Sequence, residues 1–110
     1  MDANGAKVLI VDDDAASRRL LDVRLRALEC RVVQASNGQD ALAAIQQENP
    51  SLMLLDLEMP GMNGIELLRK VREVGVEFPV VVITAHGSIE AAVEAMKEGA
   101  YDFIPKPLDP

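Results

Sequence analysis

Val8-Leu9-Ile10-Val11-Asp12-Asp13-Asp14 is apolar at four consecutive positions and then acidic at three. A strand with one wet face alternates apolar and polar residues, whereas an unbroken apolar run is expected where both faces are covered, as in the centre of a parallel sheet. Val80-Val81-Val82-Ile83 repeats the pattern, so two central strands are expected. Working outward, Lys7 to Val11, Arg31 to Ala35, Leu52 to Leu55, Val80 to Thr84 and Asp102 to Ile104 all carry strand composition between polar or turn residues. Helical spacing fills the gaps: Leu21, Leu25 and Leu28; Ala41, Leu42 and Ile45 after Asn37; Ile65, Leu68 and Val71; Ile89, Val93 and Met96. Asn49-Pro50, Gly75 and Gly99 stand where the second, third and fourth helices should stop. Strict alternation of strand and helix predicts an α/β fold with a parallel sheet, because parallel neighbours need a crossover connection.

Length and charge narrow the function. The 110 residues suit one domain, and 49% hydrophobic with 26% charged residues suits a globular chain with a single core. Eighteen acidic against eleven basic side chains give a net charge of -7, a field that repels phosphate backbones and anionic lipid. Neither direct nucleic-acid binding nor membrane attachment is expected. No apolar run approaches the roughly 20 residues that span a bilayer, and a cytoplasmic location is predicted. Cys30 is the only cysteine, which excludes an internal disulfide and a cysteine-rich zinc site. Any metal must be held by oxygen.

The carboxylates fall at informative places. Asp12, Asp13 and Asp14 follow the first strand, and Asp56 follows the third. In an open parallel sheet the strand carboxyl ends line one edge, where ligands bind. Unit charges about 4 Å apart repel by roughly 4 kcal/mol at an effective dielectric near 20, so converging acids must protonate, stay solvated or bind a cation. A few oxygen ligands, with positions left for water and phosphate, suit Mg²⁺ better than Ca²⁺ or zinc. Asp14 also reads as the cap of the first helix. Thr84 ends the fourth strand with a hydroxyl and Lys106 follows the fifth with an ammonium. Singly these are a strand-end cap and a solvated lysine; together with the acids they make one rim of complementary chemistry. A cis bond at Lys106-Pro107 would aim the lysine back over the strand ends.

Four segments in order, Val8 to Asp14, Leu55-Asp56-Leu57-Glu58-Met59-Pro60-Gly61-Met62-Asn63-Gly64, Ile83-Thr84-Ala85 and Lys106-Pro107, resemble the receiver domains of two-component response regulators. The resemblance covers nearly the whole chain. It implies a flavodoxin-like doubly wound sheet of order 2-1-3-4-5. It also implies that Asp56 is the phosphoacceptor, served by a histidine kinase or phosphotransfer protein. Mg²⁺ would be held by Asp13, Asp56 and the backbone carbonyl of Glu58, with Asp12 acting through water. Lys106 would pair with the phosphoryl oxygens, Thr84 would swing in to bond one of them, and Phe103 would be the aromatic that moves with Thr84. On local pattern alone Phe103 is also a core or half-exposed residue, with Tyr101 the nearby competitor. Glu58 and His86 occupy positions that influence loss of the phosphoryl group in this family. His86, the only histidine, otherwise reads as an exposed loop residue.

Thr84 to Phe103 is similar to receivers of the nitrogen-regulator transcriptional class, which would place an effector and DNA-binding region beyond Pro110. Receivers normally close with a fifth helix beside the first. After the fifth strand this sequence runs only through Lys106-Pro107-Leu108-Asp109-Pro110, so that helix is expected to be missing, with a tendency to self-associate through the face it would cover. Two rivals compete. A haloacid-dehalogenase-like phosphatase also has Asp-x-Asp after its first strand, but wants Thr or Val two places on, where Ala16 stands. A flavodoxin-like cofactor binder wants Ser, Thr and Gly where three aspartates would repel the phosphate.

Overall fold

Among the described residues nine elements alternate: β1 (Lys7–Val11), α1 (Ala15–Ala27), β2 (Arg31–Ala35), α2 (Gly38–Glu48), β3 (Leu52–Leu55), α3 (Gly64–Val74), β4 (Val80–Thr84), α4 (Ile89–Lys97) and β5 (Asp102–Pro105). They come from a computed structural model that describes residues 5–59, 63–85 and 89–106. The strands fall where the apolar runs placed them, β5 reaching one residue further to Pro105. All four pairings are parallel and the order is β2-β1-β3-β4-β5. Residues 60–62 of the Leu55 to Gly64 segment, His86 and Pro107 of the Lys106-Pro107 pair lie outside the described residues.

Helix starts are set by side chains that accept otherwise unpaired backbone N–H groups. Asp14 accepts from Ala16 N, Asn37 from Asp40 N at 2.8 Å and Asn63 from Ile65 N at 2.7 Å. Stops agree equally: Asn49 takes the left-handed conformation after α2, and Gly75 at φ 84° does so after α3.

Right-handed crossovers in this order send α1 to one face of the sheet and α2, α3 and α4 to the other. The core divides accordingly. Leu9, Val11, Met53, Leu55, Val80 and Val82 face Ala41, Ile45, Leu67, Leu68 and Val71, while Val8, Ile10, Leu54 and Ile83 meet Leu21 of α1. β1 is buried on both sides, and burying each of its large aliphatics stabilises the fold by about 1.5–3 kcal/mol.

Two apolar patterns turn out differently from their spacing. Leu28 caps α1 with its side chain 62% exposed. In α4 the large residues Ile89, Val93 and Met96 point outward, and the helix approaches the sheet through Ala95, which is fully buried, and half-buried Ala91 and Ala92. Small side chains let a helix backbone lie close to a sheet, and Ala95 does so here at the cost of leaving the bulky stripe in solvent.

Candidate functional site

The sheet register builds the site. Val11 of β1 pairs with Leu55 of β3, so Asp12 and Asp56 are the next residues on adjacent strands. Both are held by ladder-like bonds beyond the strand ends, Asp56 N to Val11 O at 2.9 Å and Asp12 N to Ala35 O at 3.1 Å. β1 and β3 flank the point where the strand order reverses: the chain leaves β1 toward one edge and β3 toward the other, opening a crevice at their carboxyl ends.

Into that crevice come the carboxylates of Asp12, Asp13 and Asp56, each with an oxygen within 4.8 Å of the others. Asp12 and Asp56 are buried and Asp13 is exposed, so the group has a dry floor and a wet entrance. The Lys106 ammonium crosses from the end of β5 to reach Asp12 Oδ2 at 2.6 Å and Asp56 Oδ2 at 3.4 Å. Its backbone N–H donates to Thr84 O at 2.9 Å, which ties the ends of β4 and β5 and aims the side chain inward. Thr84 is fully buried at the end of β4, and Phe103 is half-buried against the larger core cluster. Glu58 has an exposed side chain, while its N–H donates to Asp56 Oδ1 at 3.0 Å and orients that carboxylate. Tyr101 is 72% exposed and packs into neither core cluster.

The electrostatics follow from this packing. Burial pushes the Asp12 carboxyl above its ordinary range; hydrogen bonds from Lys106 and the Asp14 N–H pull the other way without cancelling it, and the Asp56 charge adds to the rise. For Lys106 burial disfavours the ammonium, but the hydrogen bond and charge of Asp12 and the charge of Asp56 outweigh it and its pKa is raised. Asp14 is held below the carboxylate range by the Ser17 hydroxyl and the Ala16 N–H, as fits its role as the α1 cap.

A hard divalent cation fits this donor set. Three carboxylates from two strand ends supply oxygen ligands only, Asp13 remains open to water, and a second positive charge would relieve the repulsion that Lys106 alone shares between two acids.

Two residues that the strand-end pattern did not single out also shape the site. Arg18 donates through Nη1 to Asp12 O at 2.7 Å and through Nε to Gln34 Oε1 at 3.1 Å, bracing the turn after β1 against β2. Ser17 bridges Asp14 and Lys106. Both lie in the first turn of α1, directly after the acidic run, and that position was the available signal.

The family model described as response regulator receiver domain matches residues 8–110. The DNA-binding transcriptional regulator NtrC of Salmonella typhimurium is 38% identical over 102 residues, 93% of this chain but 22% of that protein, so the chain spans less than a quarter of this relative's length. Among solved structures, NtrX from Brucella abortus is 39% identical with a TM-score of 0.90 over 96% of this chain and 24% of that one. A structure of the CheX-CheY-BeF3-Mg²⁺ complex from Borrelia burgdorferi contains a chain 29% identical, with a TM-score of 0.91, covering 96% of this chain and 81% of that one. Nothing in these likenesses supports an aspartate-nucleophile phosphatase.

Proposed function

Because this chain belongs to the response regulator receiver domain family of two-component signalling, we propose that Asp56 is its phosphoacceptor and that a histidine kinase or phosphotransfer protein is the donor. The supporting observation is the convergence of Asp12, Asp13 and Asp56 within 4.8 Å, with the Lys106 ammonium 3.4 Å from Asp56. A carboxylate nucleophile has no proton to lose, so no separate general base is required. An Asp56 oxygen forms the new O–P bond as the P–N bond to the donor imidazole breaks, and the departing imidazole keeps the electron pair and takes a proton from solvent.

Asp13, Asp56 and the Glu58 carbonyl would hold Mg²⁺ directly and Asp12 through water, and the ion would supply charge neutralisation to the transferring phosphoryl oxygens. Lys106 would move from Asp12 toward those oxygens, and the Thr84 hydroxyl would bond one of them, carrying Phe103 with it. Movement at Thr84 and Phe103 would shift the balance between two arrangements of α4 and β5, changing a surface that a partner reads. The same rim would assist loss of the phosphoryl group.

In this reading residues 1–110 serve as the receiver unit of a cytoplasmic regulator of the nitrogen-regulator class, acting on an effector region beyond Pro110. Among the described residues no helix is long and apolar enough to cross a membrane. The face beside α1, where Val81 is half-buried and Ile104 is exposed, is the surface through which self-association is proposed.

The test is phosphorylation by acetyl phosphate with Mg²⁺, followed by intact mass. One hydroxylamine-sensitive phosphoryl group is expected on the wild type and none on Asp56→Asn. Equal labelling of both would refute the assignment.

A further inference from the structure

Lys106 has three N–H donors and, among the described residues, three acceptors: Asp12 Oδ2 at 2.6 Å, Ser17 Oγ at 3.2 Å and Asp56 Oδ2 at 3.4 Å. Two of these belong to the acidic crevice. The third does not: Ser17 lies half-buried in the first turn of α1, the helix that follows β1. Its hydroxyl has one proton to give, and that proton goes to Asp14 Oδ2 at 3.0 Å. The oxygen lone pairs are therefore left for the ammonium. Asp14 is fixed in turn by the Ala16 N–H at 3.1 Å as the cap of α1. The helix N-terminus thus continues as a relay of bonds through Asp14 and Ser17 to the lysine.

We propose that Ser17 is a positioning residue that holds the Lys106 ammonium on the β1 side of the site, and so competes with an incoming phosphoryl group for that charge. The inference rests on the reading of Asp56 as phosphoacceptor. Once phosphoryl oxygens occupy the crevice they need at least one Lys106 donor. Ser17 is the only neutral acceptor of the three, so its bond is the one the ammonium relinquishes most readily. That bond stabilises the unphosphorylated site and not the phosphorylated one. Removing the hydroxyl loses the Asp14 bond in both arrangements but the Lys106 bond in the resting one alone, so the phosphorylated site becomes more favourable by comparison. The bond is long at 3.2 Å, so it carries the worth of an ordinary hydrogen bond and not of a short charge-assisted one, a change of about two- to tenfold.

The experiment measures binding of beryllofluoride, a tetrahedral phosphoryl mimic, in the presence of Mg²⁺ by ¹⁹F NMR. Five proteins are compared: wild type, Ser17→Ala, Ser17→Thr, Lys106→Met and the double variant Lys106→Met/Ser17→Ala. Ser17→Ala is expected to bind about two- to tenfold more tightly than wild type, and Ser17→Thr, which keeps the hydroxyl, to match wild type. In the Lys106→Met background the Ser17 substitution is expected to change nothing, since no ammonium remains to be held. A general effect on helix stability would persist there, and persistence overturns the proposal. Unchanged or weaker binding by Ser17→Ala in the presence of Lys106 overturns it as well. Wild-type protein that takes up no beryllofluoride would instead refute the reading of Asp56, an outcome distinct from wild-type binding that is indifferent to Ser17.

Discussion

Replacing Gly64 with alanine should damage both the fold and the site, although Gly64 carries no chemistry of its own. A Cβ at this position would lie 2.4 Å from the Leu57 Cα, 2.9 Å from the Leu57 carbonyl oxygen and 3.0 Å from that of Asp56. The first distance is about 1 Å short of the 3.4 Å at which ordinary contact begins. All three obstacles are backbone atoms, so no side-chain rotation relieves them. Retreat of α3 is also blocked, because Ile65, Leu67 and Leu68 are buried and Gly64 N is bonded to Leu57 O at 2.9 Å. Overpacking of this kind costs about 3 kcal/mol, at the upper end of its usual range, and for a domain of this size lowers Tm by roughly 12–15 °C. Whatever movement does occur falls on Asp56 and Leu57, and a displacement near 1 Å at a reacting group can slow its chemistry about 100-fold. Thermal unfolding followed by circular dichroism reads the first effect and the initial rate of phosphorylation by acetyl phosphate reads the second. Gly75→Ala is the control: at φ 84° with nothing within 4 Å of its Cβ, it should cost only the left-handed strain of about 1–2 kcal/mol and leave phosphorylation unchanged. A Gly64→Ala protein that melts and reacts like wild type would show that α3 and the Asp56–Leu57 backbone do not meet this closely.

Lys106→Met removes the ammonium from both buried carboxylates, so Mg²⁺ should bind more tightly by calorimetry while phosphoryl uptake slows about 10- to 100-fold, the usual worth of one charged hydrogen bond; an unchanged rate would contradict the role given to the lysine. The pH response follows from Asp12. Its carboxyl holds a proton more tightly folded than unfolded, so in metal-free protein that proton's contribution to stability is complete below the ordinary value of 3.8 and is lost as pH rises through the raised folded value. Mg²⁺ competes with the same proton, so the rise in Tm on adding Mg²⁺ should shrink as pH falls through that folded value; an increment constant with pH would contradict the assignment.

Much of this site was legible because strand ends are easy to read. Unbroken apolar runs ending in Asp12 and Leu55-Asp56 fix which residues leave the sheet at its carboxyl edge, and parallel register does the rest. The partner that Lys106 chooses was less legible. The resemblance directs the lysine to phosphoryl oxygens, whereas in the structure the ammonium lies closest to Asp12, whose burial makes its charge the most in need of a partner. Ser17 and Arg18 escaped notice because a polar first turn is ordinary for any helix, and their contacts depend on where Asp12 and Lys106 lie in space. In α4 the spacing of Ile89, Val93 and Met96 identified a helix correctly but not its inward face, since periodicity weighs large residues and the sheet is met by alanines.

The account depends most on which of the three neighbouring aspartates bears the phosphoryl group. Borohydride reduction after acetyl phosphate treatment converts an aspartyl phosphate to homoserine, and peptide mass mapping then locates it. Homoserine at position 56 alone, and only when Mg²⁺ is present, is the predicted result. Homoserine at position 12 or 13, or equal labelling without the metal, would contradict it.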